Sequence, residues 1–252
     1  MILTTEAPSS WHDLQDKVCK YLNQAGYNAV SPKTIDLVRG KAEVDVFATA
    51  DDEMLKQFIC ECKYWDTPVP QEKIHAFRSV VQDSGSMFGI MISKSGFQHG
   101  AIEAARCSNV ILKDWQGFID MLAMKWLNNR FRNLIILSGP LSVYADPLDV
   151  PPQVFQREES KAHYLELHTK VFSAYMLLRS LEMGMYPKEG PCVIDKMDFT
   201  DFNSMFDRME RIFSESVGEF KKLFEACKVE QWKLDFSEKP MFESHICDYL
   251  TQ

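Results

Sequence analysis

The chain has no stretch of 18 or more apolar residues, which excludes a membrane-spanning helix. Its N-terminus lacks a basic segment leading into an apolar one, the pattern of a secretory signal. The seven cysteines are odd in number and scattered, without the spacing of a disulfide framework. A reducing cytoplasm is therefore the expected setting. Low-complexity tracts and internal repeats are absent. A positive excess is missing as well. The net charge is -8, unusual for a protein that grips nucleic acid. The deficit is uneven, because residues 1–130 carry 14 Lys+Arg against 16 Asp+Glu, and residues 131–252 carry 14 against 20. The N-terminal half is close to neutral and has room for a local basic face.

At 252 residues, 46% hydrophobic and 25% charged, the composition is that of an ordinary globular protein with one large domain or two small ones. Ser9 or Ser10 can cap a helix from Trp11 to about Ala25. Leu14, Val18, Tyr21 and Leu22 form its apolar stripe, and Gly26 ends it. Strands are expected at Tyr27–Val30, near Ile35, at Glu43–Ala48, Gln57–Tyr64, Phe88–Ile92 and Val110–Leu112. Helices are expected at Gln71–Gln82, Gln98–Cys107 and Gln116–Arg130, the last burying Phe118, Leu122, Met124 and Leu127. Alternating elements of this kind predict an α/β core with a mixed central sheet flanked by helices.

The register then changes. Leu134–Leu137 reads as β-like, and Pro140, Pro147, Pro151 and Pro152 mark a linker over about 138–156. The remainder is expected to be all-helical, with helices over Glu158–Gly184 and Asp201–Cys227. In the second, Phe206, Phe213, Phe220 and Cys227 recur every seven residues, interleaved with Phe202, Met209 and Leu223 and interrupted by Ser216. Such a seam packs a helix within the chain or across a dimer.

The chemistry concentrates between Ala42 and Lys63. Side chains alternate along a strand, so Glu61 and Lys63 share a face about 7 Å apart. Asp45 sits mid-segment between Val44 and Val46. If the two segments pair, two carboxylates and an ammonium converge, and two hard oxygen ligands beside a cation suit a Mg²⁺ site that handles phosphate. An edge strand with a surface Glu and Lys would have the same pattern. Cys60 and Cys62 lack a second Cys/His pair at zinc spacing, and His75 and His99 lie in unrelated contexts, so packing is the simpler role for both thiols. Ser93, Lys94 and Ser95 form a turn before a helix and can receive a phosphate. Gln71 and Gln82 read as substrate contacts or as solvated helix faces.

In order, the chain presents K-Y-L-N-Q-A-G-Y, A-E-V-D-V-F-A, E-C-K-Y-W and F-G-I-M-I-S-K-S-G-F-Q-H-G-A-I-E-A-A. Over about residues 10–125 this resembles the PD-(D/E)xK nuclease superfamily, and within it the Mrr-like restriction endonuclease domains. The resemblance implies a restriction-endonuclease-like core over residues 1–130; the pattern beyond it gives a strand and Pro-rich linker over 131–156 and a helical dimerisation or partner-binding region over 157–252. It implies a metal-dependent endonuclease cutting DNA in a restriction or anti-phage defence role, with Mg²⁺ or Mn²⁺ held by Asp45, Glu61 and the Cys62 main-chain carbonyl. Lys63 would stabilise charge on the phosphate. The helix acid usual in the family falls on Gln15, which is uncharged; Asp16 or Glu43 are the substitutes in reach. A fold-alike that has lost catalysis and serves as a scaffold or DNA-binding subunit is the competing expectation. An acidic chain should hold DNA weakly alone, so a homo-oligomer or partner protein engaged through the C-terminal helices is expected.

Overall fold

The computed structural model describes residues 3–51, 55–146, 150–185, 192–194 and 197–229. By internal contacts the chain divides into two compact units, residues 6–129 and residues 1–5 with 130–252.

The unit of residues 6–129 begins with helix α1 (Trp11–Gln24), capped by the Ser10 hydroxyl, which accepts from the Asp13 N–H. At its far end Gly26 takes φ 87°. The Gly26 N–H reaches the Asn23 carbonyl and the Tyr27 N–H the Leu22 carbonyl, which closes the helix in a turn that glycine enters without strain. Strands β1 (Asn28–Val30), β4 (Val46–Thr49), β5 (Gln57–Lys63), β6 (Gly89–Ser93) and β7 (Val110–Asp114) lie in that order in a five-stranded sheet. The pairs β1–β4 and β4–β5 are antiparallel; β5–β6 and β6–β7 are parallel. Strands β2 (Lys33–Leu37) and β3 (Gly40–Val44) form a separate hairpin. The segment Glu43–Ala48, expected as one strand, is therefore two, broken at Asp45 where the chain passes from hairpin to sheet.

Helices α2 (Gln71–Asp83) and α3 (His99–Arg106) cover one face of the sheet. Ile59, Met91 and Val110 pack there with Ile74, Phe77, Val81, Ala101 and Ala105, joined by Ile35 and Val44 from the hairpin. A Cβ on Gly89 would lie 2.5 Å from Val81 Cγ2 and 2.6 Å from Phe77 Cε1, so glycine lets α2 lie against β6. Elsewhere in the unit, α1 packs with the first part of α4 (Trp115–Ser138). Tyr21 meets Trp115 and Trp126 at ring-centroid distances of 5.8 and 6.2 Å, and the Trp126 indole donates to Gln24 Oε1 at 2.8 Å. Phe118, Leu122 and Leu127 are buried as expected, but Met124 is exposed.

Leu134–Leu137 is helical, correcting the β-like reading. Phe131, Leu134, Ile135 and Ser138 are all buried, a spacing of three, four and seven that one helix face provides. In the remainder of the second unit, α5 (Leu141–Tyr144) and a 3₁₀ turn (Pro152–Gln156) occupy the expected linker. Helices α6 (Glu158–Glu182) and α7 (Phe202–Ala226) follow, with a short antiparallel pair between them, β8 (Cys192–Ile194) and β9 (Met197–Phe199). The Asp201 carboxylate caps α7 by accepting from the Ser204 N–H at 2.8 Å. Phe202, Phe206, Met209, Phe213, Phe220 and Leu223 are buried. The Phe220 ring lies 5.7 Å from that of Tyr164 on α6 and 6.0 Å from that of Tyr144 on α5, so the seven-residue seam faces this unit's own helices. Arg130, with its side chain 8% exposed, joins the unit through the Asp207 and Glu210 carboxylates of α7. No helix among the described residues is long and apolar enough to cross a membrane.

Candidate active site

The bend at Asp45 determines what its side chain does. Val46 pairs with Cys60, so the next step of the antiparallel register sets Asp45 level with Glu61. There the ladder stops, and the Asp45 side chain takes over. Its Oδ2 accepts the Cys62 N–H at 2.6 Å, while Oδ1 accepts from Gln15 Nε2 of α1, also at 2.6 Å. Gln15 is 5% exposed. Both Asp45 oxygens are thus fixed by neutral donors on two different elements.

Glu61 and Lys63 occupy one face of β5, as alternation predicts, and the Lys63 ammonium donates to Glu61 Oε1. Their side chains are 24% and 16% exposed, so the pair is part-buried on a central strand rather than displayed on an edge. Burial pushes the Asp45 carboxyl above its ordinary value of 3.8; the Cys62 N–H, Lys63 and Gln15 act against that, and Glu43 adds to it. Burial likewise raises Glu61 above 4.5, reinforced by the Asp45 charge and opposed by Lys63 and Lys73. The two carboxylates therefore feel each other and share one close ammonium. A net negative charge is left in a partly desolvated place, which favours a bound cation.

The available donors are hard oxygens: the two carboxylates, the Cys62 carbonyl and the Gln15 amide oxygen. That set fits a divalent cation of the Mg²⁺ or Mn²⁺ kind. Among the described residues, no group of three or more His, Cys, Asp or Glu side chains converges, so such a site rests on two carboxylates and neutral oxygens. The Cys62 carbonyl already accepts the Trp11 indole N–H at 3.2 Å, and a carbonyl's second lone pair stays free. Trp11 and Gln15 lie four residues apart, on one face of α1. That spacing is legible in the sequence, where Gln15 stands out only by its missing charge.

The accessory residues divide. Asp16 is exposed, and its charge acts on Cys19. Glu43 is exposed and acts on Asp45 only through its charge. The three turn residues are engaged within the chain. Ser93 is buried and donates to the Gly96 carbonyl at 2.9 Å; Lys94 binds Asp66 at 2.7 Å; Ser95 donates to the Trp65 carbonyl at 2.6 Å. Helix α3 begins only at His99, so the turn does not sit on its first N–H groups. Gln71 and Gln82 are exposed, and Gln71 contacts His75 at 3.1 Å. Cys60 and Cys62 are buried free thiols; burial raises both, with Asp45 adding to it, as packing residues require.

The raised carboxyls predict a pH effect. Between the ordinary and the raised values, the folded protein holds protons on Asp45 and Glu61 that the unfolded chain has released. Their contribution to stability is therefore fully present below about pH 4 and is lost as the pH climbs through the raised values. Replacing Asp45 with Asn should flatten that part of a metal-free melting-temperature profile. An unchanged slope would mean that Asp45 is ordinary in solution.

The mixed sheet, its flanking helices and the helical region after it define a restriction-endonuclease-like core with a C-terminal helical extension. Residues 7–122 match the Mrr_cat family model, described as "Restriction endonuclease". The match is consistent with a likeness of this segment to Mrr-like nuclease domains of the PD-(D/E)xK type. A solved structure described as "Crystal Structure of Protein of Unknown Function AF1548" is also similar, at 15% identity and a TM-score of 0.40, covering 84% of this chain and 100% of that one. No curated protein matches.

Proposed function

We propose that this chain is a divalent-metal-dependent endonuclease that hydrolyses phosphodiester bonds of DNA, in a restriction or anti-phage defence role. The observation that carries the reading is the meeting of Asp45, Glu61 and Lys63 at the end of the β4–β5 ladder, inside a segment of nuclease-family sequence. Asp45 and Glu61, with the Cys62 carbonyl, would hold the cation. When bound there, Mg²⁺ or Mn²⁺ supplies Lewis-acid polarisation of the phosphate and a more acidic water.

The chain's own residues supply the rest. Gln15 and the Cys62 N–H fix the Asp45 carboxylate so that it needs no reorganisation. The Lys63 ammonium, held by Glu61, stabilises negative charge growing on the phosphate. Gln15 takes the place of the usual helix acid as a positioning residue. The expected homo-oligomer or partner contact through the C-terminal helices is retained, carried by outward apolar residues of α6 such as Leu165 and Phe172, which are 51% and 50% exposed.

The test is incubation of the full chain with supercoiled plasmid and linear DNA in Mg²⁺, Mn²⁺ or EDTA. Metal-dependent nicking or linearisation is expected. Binding without cleavage, in the presence of any copurifying partner, would favour the scaffold reading instead. A second measurement isolates the metal. Gln15→Glu replaces the donor on Asp45 Oδ1 with a third carboxylate at the site, and should destabilise the metal-free protein by about 1–3 kcal/mol. Millimolar Mg²⁺ or Mn²⁺ should restore its melting temperature selectively. Equal metal response in the variant and the parent would argue against a cation at this place.

A further inference from the structure

Strand β5 runs from Lys63 directly into Tyr64 and Trp65, and Trp65 lies on the surface, 36% exposed. Two ammonium groups lie over its ring, Lys63 Nζ 5.2 Å and Lys73 Nζ 6.0 Å from the centroid. Lys94 Nζ stands 4.5 Å from the centre of the neighbouring Tyr64 ring. Trp11, 43% exposed, is anchored by its bond to the Cys62 carbonyl, three residues before Trp65.

The loop that presents Trp65 is tied down. Ser95 Oγ holds the Trp65 carbonyl, Lys94 holds Asp66, and Val69 exchanges backbone hydrogen bonds with Gly96 and Gln98. The hydroxyl and ammonium of the 94–95 turn, read from sequence as phosphate contacts, thus hold an indole outward beside the Glu61–Lys63 pair. A part-exposed indole with ammonium groups over its ring suits an unpaired base, which stacks on the indole as the ammonium groups move onto the flanking phosphates. A base within an intact duplex already has both faces covered. The net charge of -8 also disfavours a broad electrostatic grip and leaves affinity to a compact patch.

We propose that Trp65, with Lys63 and Lys73 beside it, is a stacking platform for an unpaired nucleobase next to the scissile phosphate. The chain then prefers single-stranded or locally opened DNA over intact duplex. This rests on the nuclease reading for the position of the phosphate, but its test does not use cleavage. Binding of fluorescein-labelled probes to the full chain is followed by anisotropy in EDTA. The probes are dT15, its duplex with dA15, the same duplex with one central mismatch, and a 15-mer carrying abasic sites in place of its central bases.

Tighter binding of dT15 than of the duplex by about tenfold is expected, together with a similar loss on Trp65→Ala and recovery in Trp65→Phe. The abasic probe should bind weakly and respond to Trp65→Ala less than threefold. If the mismatched duplex binds as tightly as dT15 while the intact duplex does not, the base also reaches Trp65 by extrusion from a duplex, and the platform stands. Equal affinity for dT15 and duplex, no binding of any probe, or a Trp65→Ala variant that holds dT15 as the parent does would overturn it. Circular dichroism checks that the variants are folded. Absence of cleavage by the parent in Mg²⁺ or Mn²⁺ would count against the nuclease reading alone.

Discussion

Asp45→Asn should reduce DNA cleavage by at least about a hundredfold while leaving the protein folded. Asparagine is nearly the same size, and its carbonyl oxygen can still accept the Cys62 N–H that Asp45 accepts at 2.6 Å. Its amide nitrogen meets Gln15, whose amide can turn to offer oxygen instead. The fold therefore keeps its hydrogen bonds, and the loss falls on charge. With one carboxylate gone, Glu61 and Lys63 neutralise each other, and the net negative charge that favours a divalent cation disappears. Lys63→Met, which preserves the length of the stem, should cost about 10²–10³ in rate by removing the positive charge at the phosphate. Steady-state plasmid cleavage in Mg²⁺ measures both, with melting temperature as the folding control. Rates within threefold of the parent for either variant would remove these residues from the chemistry.

Phe220→Ala should destabilise the C-terminal unit by about 3–5 kcal/mol, the usual cost of truncating a buried phenylalanine. The side chain is fully buried, ringed by Tyr144, Tyr164 and Phe224 at centroid distances of 6.0, 5.7 and 6.0 Å. None of those aromatic groups can collapse far enough to fill the space. Urea denaturation followed by circular dichroism measures the loss. Protein concentration separates the two readings of the seam. A seam closed within one chain gives a change that is independent of concentration, whereas a seam shared between two chains gives a midpoint that rises with it. Cooperative unfolding unchanged by the substitution would contradict the packing described.

Much of the site could be read before the fold was seen, because strand alternation is strict. Once Gln57–Lys63 is a strand, Glu61 and Lys63 must share a face. The break at Asp45 is not readable, since Glu43, Val44, Asp45 and Val46 alternate without interruption across the place where the chain leaves one sheet for another. Only pairing partners far along the chain create that bend. Leu134–Leu137 misled in another way. Four consecutive aliphatic residues look like a strand when taken alone, while the wider run Phe131, Leu134, Ile135, Ser138 has helical spacing. Met124 falls between the buried positions Leu122 and Trp126 and outside the stripe that they define. Trp65 announced itself only as an aromatic after a strand; its exposure depends on Ser95 and Lys94, 30 and 29 positions later.

One consequence of the Asp45 geometry concerns lineage. Its carboxylate finishes the β4–β5 ladder as a stand-in for a backbone carbonyl, so the residue has an architectural duty apart from any chemistry. A descendant of this chain that gave up cutting and survived as a scaffold would still be held to Asp or Asn at position 45. Lys63 has no such duty, and selection would release it early. In such a lineage, position 63 records whether the blade is still sharp, and position 45 records only that the handle is intact.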